Sequence, residues 1–406
     1  MNEVILQHTF ENGLTLVAQP MPWLESAAFS IAVPAGFRYD PGNRLGLSNF
    51  VCEMVQRGSG SLNSRQWVEA LDYLGVDYSS NSSLYNTNFG GAMQFAQLHE
   101  ALSIFADVIR RPTMSVEQLE DGRMVCFQEI AALGDDLAQR ALIKLRANFY
   151  GSTDGRISEG ELDAVSAISL DEIKAFHETY YRPNGMIIAC AGKLDFESLK
   201  QHVGELFADW QPKPAAEVPA GDPSHGYEHI EHDSEQTHIA IAYPGVPYAH
   251  DDYYLNQGAV GVLSGGMSSR LFTEVREKRG LCYTVFASCH TLINQAAVLC
   301  YSGTSNDRAQ ETLDVILDEL KKLSDGITEA ELRRLKVQIR SGMVMQQESC
   351  RSRASSITGD WFHLGRVRPL DEVTEMINSL TVESVNRYLA ANPPADFDVV
   401  TLGPQP

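Results

Sequence analysis

Three groups of residues in this 406-residue chain have types and spacings that chemistry could use. His229-Ile-Glu-His232 puts two imidazoles and a carboxylate within four residues, the raw material of a metal site. It lies in an alternating strand, however, where residues three apart point to opposite faces, so the pair reads as solvated strand histidines. His99, His177 and His202 fall in helical segments without a partner at ligand spacing, and read as surface or satisfied core residues. Cysteine forms the second group, at 52, 126, 190, 282, 289, 300 and 350. This odd, dispersed set has no C-x-x-C pair, as expected of buried free thiols in a reducing compartment. Cys52 as an independent nucleophile would need an activating histidine, and none lies near it in sequence. The third group follows Leu263-Ser-Gly-Gly-Met-Ser-Ser-Arg-Leu-Phe272. Gly265 and Gly266, with a serine cap and a helix start, let this backbone approach another segment closely. Arg276-Glu-Lys-Arg-Gly280 and Tyr283 come next; on residue types alone they are a charged helix end, capped by Gly280, and a tyrosine packing in the following strand.

The elements that must position these groups occur twice. Ala28–Pro34 (AFSIAVP) matches His238–Pro244 (HIAIAYP) at an offset of 210 residues. The helical runs Glu100–Asp107 and Glu311–Asp318 correspond at 211. Each is followed by a capping box, Ser115-Val-Glu-Gln118 and Thr328-Glu-Ala-Glu331, expected to satisfy the first free N–H groups of the next helix. Helix starts at Ser166–Phe176 and Asn378–Tyr388 lead into the apolar strands Met186–Cys190 and Phe397–Thr401, closed by Gly192 and Gly403. The expected fold is therefore α+β: two duplicated domains, residues 1–210 and 227–406, each with helices packed on a mainly antiparallel sheet. Residues 211–226 contain four prolines and little apolar pattern, and read as a linker stiffened by proline.

Composition narrows the partners. With 32 basic and 53 acidic side chains the net charge is −21, which opposes nucleic acid and anionic lipid and suits basic or peptidic partners. The N-terminal Met1–Leu16 lacks a basic n-region and apolar h-region, and no stretch reaches the roughly 18 apolar residues of a membrane span, so a cytoplasmic protein without a membrane segment is expected.

Gly46-Leu-Ser-Asn-Phe-Val-Cys-Glu-Met-Val-Gln-Arg-Gly-Ser59 resembles the inverzincin helix of the M16 peptidases, roughly G-x-A-H-F-L-E-H-M-x-F-x-G-T. The frame residues Gly46, Phe50, Met54 and Gly58 match, but Asn49 and Glu53 stand where the zinc-binding histidines would be and Cys52 replaces the general base. Glu129 lies 76 positions beyond Glu53, the family's spacing for a third ligand, whereas the supporting glutamate seven residues earlier is Gly122 here. Asparagine is a poor zinc ligand, and hydrolysis needs a base beside a metal-bound water. A residual site from Glu53, Glu129 and Cys52 is the alternative to ordinary polar residues lining a cleft. The run from Gly261 is similar to the glycine-rich loop of the family's C-terminal domain, and Arg276 and Tyr283 match its R/Y pair. Asp77–Phe89 occupies the place of the edge strand that pairs with substrate, with Thr87 matching the family's threonine.

The resemblance, to an M16B-type chain with the LuxS/MPP-like metallohydrolase fold, implies a non-catalytic R/Y subunit of a two-chain zinc peptidase. Arg276 and Tyr283 would bind peptide and stabilise an oxyanion in trans, with Gly265, Gly266 and Thr87 contributing to substrate binding. Zinc would reside in a homologous partner subunit and no cofactor in this chain, which alone would hydrolyse nothing and could pair with itself. A non-enzymatic scaffold or peptide-binding protein, like the zinc-less core subunits of respiratory complexes, is the competing expectation.

Overall fold

The computed structural model describes residues 4–346 and 348–404. Among the described residues thirteen strands supply two large sheets and a small ladder: β1 (Leu6–Thr9), β2 (Thr15–Pro20), β3 (Ser26–Val33), β4 (Gly58–Ser59), β5 (Leu62–Asn63), β6 (Asp77–Ser82), β7 (Thr87–Gln94), β8 (Ile187–Gly192), β9 (Tyr227–Glu231), β10 (Gln236–Pro244), β11 (Cys282–Thr291), β12 (Ala296–Ser305) and β13 (Asp398–Gly403). The first sheet runs β1-β2-β8-β3-β7-β6 and the second β9-β13-β10-β12-β11. Taken in that sense, β9, β13, β10, β12 and β11 stand where β2, β8, β3, β7 and β6 do. In both sheets one pair is parallel, β2 with β8 and β9 with β13, and the rest antiparallel. The repeat seen in sequence is thus a repeat of topology, and the α+β class with two domains holds.

The two compact units do not follow the contiguous division at 211–226. The first comprises the described residues up to Ala132, Arg156–Pro219 and Met345–Pro369; the second Leu133–Gly155, Ala220–Val344 and the residues from Leu370. Residues 211–226 hold no helix or strand, and one of the several crossings between the units falls within them. The physical reason for the interleaving is that a central strand has two faces to bury. In the first sheet Leu16, Ala18, Phe29, Ile31, Ile188 and Cys190 face one core. Their neighbours Val17, Ala28, Ala189 and Ala191 face another, made with Cys350, Ala354 and Ile357 of the helix Cys350–Leu364. In the second sheet Ile239, Ile241, Val298 and Cys300 face the main core, while the helix Leu137–Asp154 packs on β10 and β13. Each sheet therefore takes one covering helix from the other half of the chain.

Local signals set the helix ends. Ser169 with Glu172 and Thr381 with Ser384 form reciprocal capping boxes at the starts of Leu170–Tyr180 and Val382–Ala391, and Thr328 and Glu331 bond in the same way. Ser115 does not: a short 3-10 turn, Val116–Gln118, intervenes before the helix Leu119–Asp135, and its hydroxyl caps no helical N–H. Among the described residues no helix is long and apolar enough to cross a membrane.

Candidate functional site

The helix Leu47–Val55 carries the first group. Its apolar residues Leu47, Phe50, Val51, Met54 and Val55 are buried, which leaves Asn49 and Glu53, one turn apart, on the open face. Gly46 opens the helix in the left-handed region at φ 95° and brings no side chain to cap it. Asp40 does so instead: its carboxylate accepts from Gly46 N and Ser48 N, both at 2.9 Å. Burial pushes this carboxyl up to about 7 against the pull of those two amides.

The second carrier is the helix Leu119–Asp135, which passes close because residue 122 lacks a side chain: a Cβ on Gly122 would stand 2.8 Å from Met54 Sδ, 3.1 Å from Phe50 and 3.2 Å from Arg57 Nε. Asn49 Nδ2 then donates to Glu129 Oε2 at 2.7 Å. Desolvation in the cleft raises the Glu129 carboxyl above its usual range, with the charges of Glu53 and Glu159 adding and the Asn49 bond opposing. Glu53 is held by Arg57, one turn on, at 2.7 and 2.8 Å. Cys52 lies beneath, 3% exposed, and burial drives its thiol up to about 12, with Glu53 and Glu129 pushing the same way. Cys126, also buried, shares the same pair of carboxylates.

Asn49, Cys52, Glu53 and Glu129 are therefore brought together, but not as a metal site. One position is an amide engaged by a carboxylate, one a carboxylate engaged by a guanidinium, and one a thiol that burial keeps protonated. Zinc takes deprotonated ligands in a tetrahedral set, and among the described residues no group of three or more His, Cys, Asp or Glu suited to a metal ion exists here or elsewhere. These residues do not fit zinc. His229 Nδ1 lies 2.8 Å from Thr401 Oγ1, His99 stacks on His202 at 4.6 Å, and His177 Nε2 lies 2.9 Å from the Ile109 carbonyl.

Asp77–Phe89 is a hairpin, and only its first half is an edge. β6 is the outer strand, the turn closes where Ser83 N and Oγ both donate to Asn86 O at 2.7 Å, and Thr87 begins β7 one strand inward. Thr87 is fully buried and donates to the Ala35 carbonyl at 2.7 Å, so its hydroxyl faces no ligand.

In the second unit two irregularities bring Arg276 and Tyr283 together. Phe272–Glu277 winds as a π-helical turn, Lys278 N reaching back five residues to Thr273 O at 3.0 Å. Along β11, Cys282 pairs with Thr304 but Thr284 pairs with Gly303, so Tyr283 is the extra residue of a β-bulge. The bulge turns Tyr283 outward, 80% exposed, with the Arg276 guanidinium 4.9 Å from its ring centre and 4.8 Å from that of Phe272. Arg270 is tied to Glu331 at 2.7 Å and Arg279 to Glu274 at 2.9 Å, which makes them structural. Gly265 and Gly266 turn toward the helix Glu329–Gln346, where a Cβ on Gly266 would meet Gln338 Nε2 at 2.7 Å. The side chains that sequence reading missed are Asp40, Arg57 and Cys126; the last two stand four residues after Glu53 and three before Glu129, a spacing that pairs residues on one helix face.

Residues 17–157 match the family described as Insulinase (Peptidase family M16), and residues 167–339 the one described as Peptidase M16 inactive domain. The chain belongs to the M16 peptidase family. It is similar to an uncharacterised zinc protease of Bacillus subtilis, 25% identical over 99% of this chain and 98% of that one. An uncharacterised zinc protease of Mycobacterium tuberculosis is 27% identical over 98% and 92%. The fold matches the solved peptidase M16 inactive domain of Pseudomonas fluorescens, with TM-score 0.88 and 21% identity over 99% of this chain and 98% of that one. A protease from Helicobacter pylori matches over the whole of both chains, with TM-score 0.89 and 18% identity. Within M16, the first half of this chain presents Asn49, Cys52 and Glu53 on the family's helix, and the second half presents Arg276 against Tyr283.

Proposed function

We propose that this M16 chain is the non-catalytic member of a two-chain zinc peptidase, with a degenerate metal site of its own. It would lend Arg276 and Tyr283 to a peptide whose cleavage is carried out by a zinc-bearing homologue. The observation that carries this reading is the contrast between the two groups of residues. Asn49–Glu129 and Arg57–Glu53 are closed on one another, whereas Arg276 and Tyr283 are held by a π turn and a bulge, Tyr283 exposed and Arg276 half-buried without an ion pair among the described residues. A guanidinium and a phenol are suited to hold a peptide carbonyl and to stabilise the oxyanion that develops on attack; donors of this kind contribute on the order of 10²–10³ in rate. Seven free cysteines and a net charge of −21 suit a reducing cytoplasm and basic peptides.

The test is reconstitution with a zinc-bearing homologue from the same source, scored by peptide cleavage. The chain alone is expected to be inactive, the mixture active, and Arg276→Ala or Tyr283→Phe to lower turnover of the mixture on the order of 10²-fold. Metal-dependent cleavage by the isolated chain, lost on Glu129→Ala, would sink the proposal. Mixture activity indifferent to both substitutions would mark the chain as a scaffold.

A further inference from the structure

β11 is the outer strand of the second sheet, hydrogen-bonded to β12 on one side only. Along such a strand alternate N–H and C=O groups point away from the sheet and are open to another strand. Natural edges are usually blunted by lysine, proline or inward-pointing charge. Apart from the bulge at Tyr283, β11 carries no such device: its ten residues, CYTVFASCHT, include no proline and no Lys, Arg, Asp or Glu, in a chain otherwise rich in charge. Tyr283, Thr284, Phe286 and Ser288 are exposed along it.

The two ends of this edge differ in charge. At the Cys282 end stands Arg276, which makes no ion pair among the described residues and rests on two aromatic rings. Its neighbour Arg270 is paired with Glu331, while Lys278 and Arg279 share the single carboxylate of Glu274. At the far end His290 is held neutral by burial, with its pKa near 4. A strand added parallel to β11 would bring its N-terminal end, and with it a positive charge, toward Arg276. An antiparallel strand brings its C-terminal end there, and a carboxylate is the group a guanidinium grips best, through two parallel hydrogen bonds.

The geometry points to a binding site for an extended peptide that adds antiparallel to β11 by main-chain hydrogen bonds and ends in a free α-carboxylate held by Arg276 beside Tyr283. This deepens the proposed function, on which it rests for the premise that Arg276 meets peptide, and it names the ligand class as chains with a free C-terminus, the kind that peptide hydrolysis itself releases.

The probe is a fluorescein-labelled eight-residue peptide of alternating Thr and Val, read by fluorescence anisotropy on the full chain without any partner. The free acid is expected to bind at least tenfold tighter than the same peptide amidated at its C-terminus. Arg276→Gln should erase that difference, Arg276→Lys should keep part of it, and N-methylation of alternate residues should abolish binding in one register and not in the other. Equal affinity of acid and amide, no binding of either, or a preference that survives Arg276→Gln would overturn the proposal. Arg276 is only partly buried and the variants are expected to fold; matched thermal melts confirm it. Reconstituted cleavage that depends on Arg276, without any preference for the acid, would refute this site and leave the proposed function standing. A preference for the acid without reconstituted cleavage would do the reverse.

Discussion

Cys52 lies beneath the Asn49–Glu129 and Glu53–Arg57 pairs, and its chemistry is open to a direct test. Burial carries its thiol from 9.0 to about 12, so forming the thiolate in the folded chain costs ~4 kcal/mol more than in water. At pH 8 roughly one thiol in 10⁴ is then ionised, against about one in ten for a thiol at 9.0. Because the thiolate is the nucleophile, alkylation of native Cys52 should be about a thousandfold slower than in the unfolded chain, and slower still because the sulfur is only 3% accessible. The assay is timed iodoacetamide labelling at pH 8, native and in denaturant, with each cysteine followed by peptide mass spectrometry. A native rate for Cys52 within tenfold of its unfolded rate would refute the argument and reopen the residue as a nucleophile or metal ligand.

Three further outcomes follow from packing and titration. Ile357→Ala removes three buried carbons from the helix that covers the first sheet, and should cost about 2–5 kcal/mol; hydrogen exchange should speed in β3 and β8 and not in β10 and β13. Gly122→Glu should destabilise by roughly 1–3 kcal/mol, because its Cβ meets Met54, Phe50 and Arg57; a lowered denaturation midpoint checks this. Burial holds His177 and His290 near pKa 4, whereas the unfolded chain protonates them near 6.5. The unfolded state therefore binds more protons between those values, and stability should be lost as pH drops from about 6.5 to 4, by up to about 1.4 kcal/mol per unit for each histidine. Denaturant titrations from pH 7 to pH 4 should show the slope, and His177→Gln should reduce it.

What could be read in the chain beforehand was whatever local pattern records. The alternation of AFSIAVP and HIAIAYP and the glycines at 192 and 403 fixed corresponding strands, because a strand's period and its closing turn are written in adjacent residues. Arg276 with Tyr283 was legible only through the resemblance to the M16 motif; the π turn and the bulge that join them were not. A six-residue π turn leaves no period distinct from an α-helix, and a bulge exists only in the pairing with β12. The run from Asp77 to Phe89 read as one polar edge because serine, asparagine and threonine make up most of it. The buried hydroxyl of Thr87 depends on a carbonyl 52 residues away. Nor does anything within 137–154 or 350–364 state which sheet each helix will cover, since an apolar stripe records only that it must be covered.

The interleaving of the two halves has a consequence in time. The first sheet is complete in sequence at Gly192, but the helix that seals its second face ends only at Leu364. At the usual pace of about 5–20 residues per second, a ribosome needs roughly 10–30 s to deliver that helix. Throughout that interval Val17, Ala28, Ala189 and Ala191 lack Cys350, Ala354 and Ile357, which cover them in the finished fold. The nascent chain therefore passes through a stage with a nearly finished sheet and one naked apolar face, and severing the gene at the linker would make that stage permanent.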